Sequence, residues 1–248
     1  MLEVSELMVF YENALAVNEL SFKVEAGQVV GVIGSNSAGK TTLMNTLSGL
    51  ILDQQIKEKR KGGERITIMG SIAYEGRDIT LMPAYERVRL GIVLCRERHP
   101  VFGDSTVQEN LLIAGHLRDK AHVRQAMDLT FDLFPNLVRW RRRKAGFLSG
   151  GEQQMLAIGM ALVVGPRLLL LDEPLLGLSP AMQKTVVEAI KGVRRQTGAT
   201  IIIAEQFARP VLPMIDHGYV IENGMLTMTG TGKQLMDNPE IKSAYFGV

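Results

Sequence analysis

The spacing of hydrophobic residues near the start of the chain predicts three strands followed by a helix. Residues 2–10 and 17–24 alternate or run with β-branched and apolar side chains, so we expect two strands joined through residues 12–13. Residues 27–34, GQVVGVIG, form a short apolar run bounded by glycines, which indicates a buried strand. A helix is expected at 41–50.

The next stretch has no clear hydrophobic period. Residues 53–65, DQQIKEKRKGGER, are polar, basic and contain adjacent glycines, so we interpret them as a surface loop. Residues 66–80 are expected to form a hairpin. An apolar strand, GIVLC, then ends at Cys95, whose side chain we expect to pack as a small hydrophobe.

The rest of the chain alternates between helical and strand periods. A helical pattern at 106–134 is broken by Pro135 and Asn136, within a mainly helical insert at about 104–148. The later expected elements are a helix from Ser149, a strand at 168–171, a helix at 181–195, a strand at 200–204, a helix from Phe207 and a strand at 218–222. Strands that alternate with helices predict an α/β fold with a mostly parallel sheet covered on both faces.

Composition narrows the class of protein only a little. Of the 248 residues, 46% are hydrophobic and 22% are charged, as in ordinary globular proteins. A net charge of +2 is too mild to indicate nucleic-acid binding, and the single cysteine fits a reducing compartment. No apolar run reaches the roughly 18 residues of a membrane span, and Glu3 and Glu6 stand where a secretory signal would be basic. We therefore expect a cytosolic chain, which leaves room for a membrane partner.

The segment that closes the predicted strand 27–34 has the pattern of a phosphate-binding loop. GSNSAGKT matches G-x(4)-G-K-[ST] between a strand and a helix. The backbone N–H groups of such a loop cradle phosphates, while Lys40 adds a positive charge and Thr41 can bind Mg²⁺. The predicted nucleotide-binding residues are Gly34, Ser35, Asn36, Ser37, Ala38, Gly39, Lys40, Thr41 and Thr42.

A second motif, LLLLDEP, places two acids after a run of leucines. Four consecutive leucines indicate a strand buried on both faces. Asp172 and Glu173 then emerge at its carboxyl end, where open α/β sheets bind ligands. We expect Asp172 to bind Mg²⁺ and Glu173 to orient or deprotonate the attacking water. The alternative, an ordinary transition from strand to loop, is weakened by the phosphate-binding loop upstream.

The stretch FLSGGEQQ contains a helix start with an unusual composition. Ser149 and Glu152 form an S-x-x-E capping box ahead of an apolar run. Gly150 and Gly151 lie in the first turn, where each costs roughly 1 kcal/mol relative to alanine. A serine, two glycines and a helix start suggest phosphate recognition, yet the sequence has no second triphosphate loop for this segment to complete.

The ordered set GSNSAGKTT, LSGGEQQ and LLLLDEP resembles the ATP-binding-cassette family over essentially the whole chain. The resemblance implies one P-loop NTPase cassette, residues 1–248, with an N-terminal antiparallel β subdomain and an α-helical subdomain at about 104–148. It also implies that two cassettes pair head to tail around ATP and Mg²⁺. Ser149, Gly150 and Gly151 of one chain would then cover the γ-phosphate bound by the other.

The same resemblance assigns further residues. Tyr11 stands where the family stacks an aromatic ring on adenine, although a half-buried strand tyrosine is the alternative. Glu97 stands where most relatives have a glutamine that contacts Mg²⁺ and the membrane subunit, and Gln206 where most have a histidine that faces the γ-phosphate. The implied catalytic residues are Glu173, Gln206 and Lys40, and the implied metal ligands are Thr41, Glu97 and Asp172. Ser37, Glu97 and Gln206 depart from the usual family pattern.

Several segments resemble the second ATPase subunit of high-affinity branched-chain amino-acid importers. They are RERHPVFGDSTVQENL, AEQF, DEPLLGLSP and the tail IKSAYFGV, and urea and short-chain-amide importers have close relatives of this subunit. The resemblance implies an ATP-hydrolysing subunit that energises such an importer. Its partners would be a second cassette chain, the same or different, integral membrane permeases and, indirectly, a solute-binding protein. The permeases would hold it at the inner face of the cell membrane.

Two other functions are weighed against this one. One is a soluble cassette protein that acts on nucleic acid or the ribosome. The run RWRRRK at 139–144 could bind phosphates of nucleic acid or lipid head groups, although a solvated helix end with Trp140 as a packing anchor is the alternative. A cassette of a lipid or polysaccharide exporter would share the three motifs. The four histidines show no metal-ligand spacing.

Overall fold

A computed structural model describes residues 1–63, 65–97 and 101–246, and these residues form ten strands. The strands are β1 (Leu2–Tyr11), β2 (Ala14–Val24), β3 (Val29–Ile33), β4 (Ile66–Tyr74), β5 (Arg77–Asp78), β6 (Ile92–Cys95), β7 (Leu168–Asp172), β8 (Thr200–Glu205), β9 (His217–Glu222) and β10 (Met225–Gly230). They are distributed between two sheets.

The same residues form ten α-helices, which follow the strands in the order expected of an α/β protein. The helices are α1 (Lys40–Ser48), α2 (Leu50–Lys61), α3 (Ala84–Arg89), α4 (Val107–Ala114), α5 (Lys120–Leu133), α6 (Pro135–Arg139), α7 (Gly150–Val163), α8 (Pro180–Thr197), α9 (Gly232–Asp237) and α10 (Pro239–Phe246). None of these described helices combines the length and apolar character needed to cross a bilayer.

The larger sheet has the strand order β10-β9-β3-β8-β7-β6. Its strands are parallel except β10, which pairs antiparallel with β9. Every residue of β3, β7 and β8 is buried, as expected for parallel strands with both faces covered. The apolar runs of the sequence therefore became the central strands, whose carboxyl ends meet at one edge of the sheet.

The smaller sheet is antiparallel, with the order β2-β1-β4-β5. The turn between β1 and β2 lies at residues 12–13, and β4 and β5 form the expected hairpin. A cluster of buried apolar residues joins the inner faces of the two sheets and includes Val9, Val32, Leu43 and Leu170. Beside this core, β2 contacts α1, and the carbonyl oxygen of Ala16 lies against Gly39 at the start of that helix.

Helices α4, α5 and α6 occupy the segment between β6 and β7, where the helical insert was expected. The pattern at 106–134 is two helices instead of one, because the chain turns between Gly115 and Asp119, which caps α5 through His122 N–H. Pro135 does break the pattern, but it also begins α6, since a proline at the first helical position has no N–H to satisfy. Helix α7 packs against α4 and α5 and joins this segment to the sheet.

The expectation of a surface loop at 53–65 is wrong, because α2 continues to Lys61. Its residues are mainly Gln, Lys, Glu and Arg, which favour helix strongly. Asp53 in the first turn and three basic residues in the last turn complement the helix dipole, and Gly62, with φ 64°, ends the helix. Only Ile51 and Leu52 of α2 are buried, so the sequence offered little hydrophobic period. Glu64 lies outside the described residues.

Two other expectations need correction. The helix expected at 41–50 ends at Ser48, because Gly49 adopts φ 83° and the chain restarts as α2. The helix expected from Phe207 is only a 3₁₀ turn at Leu212–Met214, since Pro210 and Pro213 each remove a backbone donor. The short elements α3, α9, α10 and β10 were not expected from the sequence.

Candidate active site

The loop that joins β3 to α1 has the backbone shape needed to surround an anion. Ser37 and Gly39 adopt φ values of 65° and 98°. A Cβ atom at Gly39 would lie 2.3 Å from the carbonyl oxygen of Ala16, so only glycine fits there. Among the described side chains none caps the start of α1, which leaves its N–H groups available to a ligand.

Lys40 holds this loop closed from inside. Its side chain is 3% exposed, and its Nζ atom donates hydrogen bonds of 2.9 Å to the carbonyl oxygens of Gly34 and Ser35. The same Nζ atom lies 3.1 Å from Glu173 Oε1. A buried ammonium needs such partners, because desolvation without them is costly. The loop is therefore connected through Lys40 to the acids that end β7.

The acids at the end of β7 face the start of α1. Thr41 Oγ1 donates a hydrogen bond of 3.4 Å to Asp172 Oδ1, and Asp172 is 1% exposed. Burial raises the pKa of Asp172 to about 6, the hydrogen bond from Thr41 opposes this, and Glu173 and Glu97 raise it further. A hydroxyl and clustered carboxylates are hard oxygen donors of the kind that Mg²⁺ prefers.

One cleft brings most of the predicted residues together. It has a volume of about 480 Å³ and is lined by Ala16, Asn36, Ser37, Gly39, Lys40, Thr41, Thr42, Glu97, Glu173 and Leu176. Gly34, Ser35 and Asp172 join this set through their hydrogen bonds to Lys40 and Thr41. Among the described residues there is no group of three or more His, Cys, Asp or Glu side chains suited to a metal. A cation at this cleft would therefore also depend on the hydroxyl of Thr41 and on the anion bound beside it.

Comparison with known proteins identifies the family of this chain. A family model described as ABC transporter matches residues 17–176. The high-affinity branched-chain amino acid transport ATP-binding protein BraG of Pseudomonas aeruginosa is 39% identical over 247 residues, which cover 100% of both chains. The chain belongs to the ABC transporter family.

Further similarities agree with this family. The probable branched-chain amino acid transport ATP-binding protein LivF of Archaeoglobus fulgidus is 31% identical, over 100% of this cassette and 99% of that protein. A crystal structure of the ADP conformation of an ATP-binding cassette from an ABC transporter is 27% identical, with a TM-score of 0.81 over 100% and 99% of the two chains. The predicted family and α/β cassette fold are confirmed, and the cassette is an ATP-binding ATPase.

The segment LSGGEQQ at 148–154, called the signature segment below, contributes none of the residues that line the cleft. Ser149 Oγ accepts the N–H of Glu152, and Glu152 Oε2 accepts the N–H of Ser149 at 2.9 Å, so the capping box is confirmed. Gly150 is exposed, whereas Gly151 is buried and a Cβ atom there would lie 2.3 Å from Met182 Cε. The role of both glycines against a partner's ATP therefore stays a prediction, and Gly151 also packs against the end of the Met182 side chain within its own chain.

The basic run at 139–144 packs onto this same helix start. The Arg143 guanidinium lies 4.7 Å from the centre of the Trp140 ring, and Trp140 Nε1 donates a 2.7 Å hydrogen bond to Glu152 Oε1. Trp140 is half-buried against the core, while Arg141 and Arg143 are exposed. The run is a solvated helix end that also contacts the signature segment.

Three other predicted residues do not line the cleft. Ala38 is buried within the phosphate-binding loop, where its N–H donates to the carbonyl oxygen of Ser35. Tyr11 is half-buried at the end of β1, where it packs beside the core that joins the two sheets. Gln206 is half-buried directly after β8. Residues 98–100, near the start of the segment that resembles importer ATPases, lie outside the described residues, as do 247–248 of the tail.

Sequence reasoning missed three residues that belong to the site. Ala16 and Leu176 line the cleft, but neither carries a chemical group that a motif could reveal. Glu205, 1% exposed at the end of β8, accepts a hydrogen bond from the loop that follows Glu173. An acid directly after the buried run TIIIA is a signal in the sequence that could have identified Glu205.

Proposed function

We propose that this cassette hydrolyses ATP to energise an importer of branched-chain amino acids or related small polar solutes. The observation that carries the proposal is the similarity to BraG, 39% identical over 100% of both chains, because that protein is named for high-affinity branched-chain amino acid transport. The complete set of charged and hydroxyl groups at the cleft supports a working ATPase rather than a degenerate one.

The proposed chemistry follows from the positions of the side chains. The triphosphate would lie against the loop at 34–39 and the start of α1, where its oxygens compete with Glu173 for the ammonium of Lys40. Glu173, released from that ion pair, would take a proton from the attacking water. Gln206 would orient the water or the γ-phosphate through its amide, and Tyr11 would stack on the adenine.

Mg²⁺ fits the donor set at the end of β7. Thr41 and Asp172 would hold the ion directly, and Glu97 lies at the same cleft. When bound, it would neutralise charge on the transferring phosphate. The raised pKa of Asp172 fits this role, because a bound cation would favour the charged carboxylate that burial disfavours.

A second cassette would complete each site. Ser149 and Gly150 are exposed at the start of α7, and we infer that they close over the ATP bound by a partner chain, which can be identical or a related subunit. Membrane permeases would receive the resulting motion, and a solute-binding protein would act through them. The permeases would also hold the cassette at the inner face of the membrane.

Uptake by whole cells tests the function directly. Cells from which the gene for this cassette has been deleted should lose uptake of labelled leucine, isoleucine and valine, or of urea and short-chain amides. The wild-type gene should restore uptake, and Glu173→Gln should not. Glu188→Gln should also restore it, because Glu188 lies exposed on α8 in a surface pair with Lys191. Unchanged uptake of all these solutes in the deletion strain would overturn the proposal, and retention of a labelled lipid would point to export.

A further inference from the structure

Glu205 is a buried acid that the proposed ATP chemistry does not use. It ends β8, is 1% exposed and directly precedes Gln206. Burial raises its pKa to about 8; the N–H groups of Leu175 and Gln206 and the charge of Lys40 oppose this rise, whereas Glu173 adds to it. A group that is costly to bury and far from an ordinary surface position calls for a structural reason.

The reason lies in the turn that carries Glu173. The backbone of Glu173 has a φ of 47°, in the left-handed region that non-glycine residues seldom adopt. Such a conformation persists only where the surroundings over-determine it. Here the N–H of Glu173 donates to the carbonyl oxygen of Ala204 at 2.9 Å, and the N–H of Leu175 donates to Glu205 Oε1 at 2.8 Å.

These two hydrogen bonds come from consecutive residues of β8 and flank the turn. The first is between backbone groups, and any residue at 204 would supply it. The second depends on a side chain, because only a residue with an acceptor of this length can reach Leu175 N–H. The carbonyl oxygen of Glu205 also accepts the N–H of Gly34 at 3.3 Å, so the same residue contacts the phosphate-binding loop.

We propose that Glu205 is a positioning residue for ATP hydrolysis, which fixes the turn at 173–175 so that the Glu173 carboxylate faces the cleft. The inference rests on the proposed function in one respect, since it takes Glu173 as the general base. Misplacing a reacting group by about 1 Å can reduce a rate by about 100-fold. A hydrogen bond that holds the backbone of the base can therefore matter for turnover while it contributes little to ATP binding.

Two substitutions separate the acceptor from the rest of the side chain. Glu205→Met keeps an unbranched chain of similar length and removes the oxygen that accepts Leu175 N–H. Glu205→Gln keeps that oxygen and resembles the protonated acid, which is the form favoured at neutral pH. If the hydrogen bond is what matters, the glutamine variant should behave as the wild type.

Thr200→Val is the matched control on the same strand. Thr200 begins β8, is 1% exposed, and its Oγ1 accepts the N–H of Gly27 at 2.9 Å. The substitution thus removes a buried acceptor of a backbone N–H from the far end of β8, away from the turn. General loosening of the strand should affect both variants, whereas positioning of Glu173 should affect only one.

The experiment measures kcat, the KM for ATP, the affinity for a fluorescent ATP analogue, and amide hydrogen exchange at Leu175 in the purified full-length cassette. We expect Glu205→Met to lower kcat at least tenfold, with KM and affinity within about threefold of wild type, and to accelerate exchange at Leu175. Glu205→Gln should keep kcat within about threefold. Thr200→Val should keep kcat within about twofold and leave exchange at Leu175 unchanged.

Three results would overturn the proposal. They are a kcat for Glu205→Met within twofold of that for Thr200→Val, a kcat for Glu205→Gln as low as that for Glu205→Met, or a loss of ATP affinity that accounts for the loss of turnover. Failure of the premise that Glu173 is the base looks different, because it appears as undiminished turnover in Glu173→Gln, and failure of the importer function appears as unchanged solute uptake in the deletion strain. Exchange at Leu175 responds to the hydrogen bond itself in either case, so the structural part of the inference is decided separately.

Discussion

The cleft at the phosphate-binding loop and the start of α7 both carry phosphate-recognition motifs rich in serine and glycine. They differ in how many contacts their side chains make with the rest of the chain. Side chains of the cleft contact one another across α1 and β7, as Lys40 does with Glu173 and Thr41 with Asp172. At the start of α7, the hydrogen bonds of Ser149 among the described residues stay within the first turn, to Glu152 and Gln153, and Ser149 is exposed. The first region is assembled by one chain, whereas the second offers a surface.

The difference teaches where single-chain folding ends and assembly begins. Buried charged groups at the cleft need partners, and the chain supplies all of them itself. Gly150 is exposed at the start of α7, whereas Gly151 beside it is buried against the end of the Met182 side chain. Substitutions at the cleft should therefore disturb binding or chemistry in one chain, and those at Gly150 should disturb only what two chains do together.

The largest expected effect is on chemistry at the cleft. Glu173→Gln removes the proposed base, and general-base catalysis contributes about 10²–10⁴-fold, so ATP turnover should fall by about that factor. Binding of ATP should remain, and an ATP-dependent dimer should accumulate in light scattering. Glu188→Gln, an exposed change with the same chemistry, should keep full turnover. Turnover of Glu173→Gln within tenfold of wild type would assign the base to another residue.

Gly150→Leu should separate closure from binding. A bulky side chain at this exposed position should reduce turnover at least tenfold and prevent ATP-dependent dimerisation in the Glu173→Gln background. Affinity of the single chain for a fluorescent ATP analogue should stay within about threefold, because the cleft lining does not include this residue among those described.

Lys40→Met is the reciprocal control for that separation. Hydrogen bonds to charged groups contribute about 1.5–3 kcal/mol, which corresponds to roughly 10–100-fold in nucleotide affinity. The variant should lose nucleotide binding while the exposed start of α7 is unchanged. Equal loss of affinity in Gly150→Leu and Lys40→Met would contradict the distinction between the two regions.

A smaller effect is expected where the basic run contacts the signature helix. Trp140→Phe keeps an aromatic ring, though a smaller one, and removes the donor to Glu152, so the helix cap should lose about 0.5–1.5 kcal/mol of stability. Against the opposing effect of partial burial, hydrogen bonds from Ser149 and Trp140 lower the pKa of Glu152. Stabilisation by a group with a lowered pKa is lost as the pH falls through that pKa.

Denaturant unfolding at several pH values tests this expectation. The difference in unfolding free energy between wild type and Trp140→Phe should be present at neutral pH and shrink in acid, as Glu152 becomes protonated in both proteins. Trp140→Leu serves as the comparison that also loses the ring beneath Arg143. A difference that does not change with pH would mean that Trp140 stabilises the cassette only by packing.

Features that depend on consecutive residues could be predicted from the sequence. Features that depend on contacts between residues far apart in the chain could not. The loop GSNSAGKT and the acids after LLLLDEP carry their backbone context and their chemistry together, and both meet at the cleft as expected. Ala16 reaches the cleft because β2 packs beside the start of α1, and no motif in the sequence indicates this packing. The structure of residues 53–61 was ambiguous, because a solvated helix and a charged loop have similar compositions. The charges at the two ends of the segment and the glycine that ends it are the features that favour a helix.

Ser37 offers the smallest and most local test of how the cleft is built. Its φ of 65° lies in the left-handed region, which a residue with a Cβ atom seldom adopts. Relieving that strain should contribute about 1 kcal/mol, partly offset by the greater freedom of glycine in the unfolded chain. Ser37→Gly should therefore stabilise the cassette by about 0.5 kcal/mol in denaturant unfolding, with nucleotide affinity unchanged within about twofold. Ser37→Ala keeps the Cβ atom and should give no gain. A loss of affinity in both variants would instead show that the hydroxyl contacts the nucleotide, and that this departure from the family pattern serves binding.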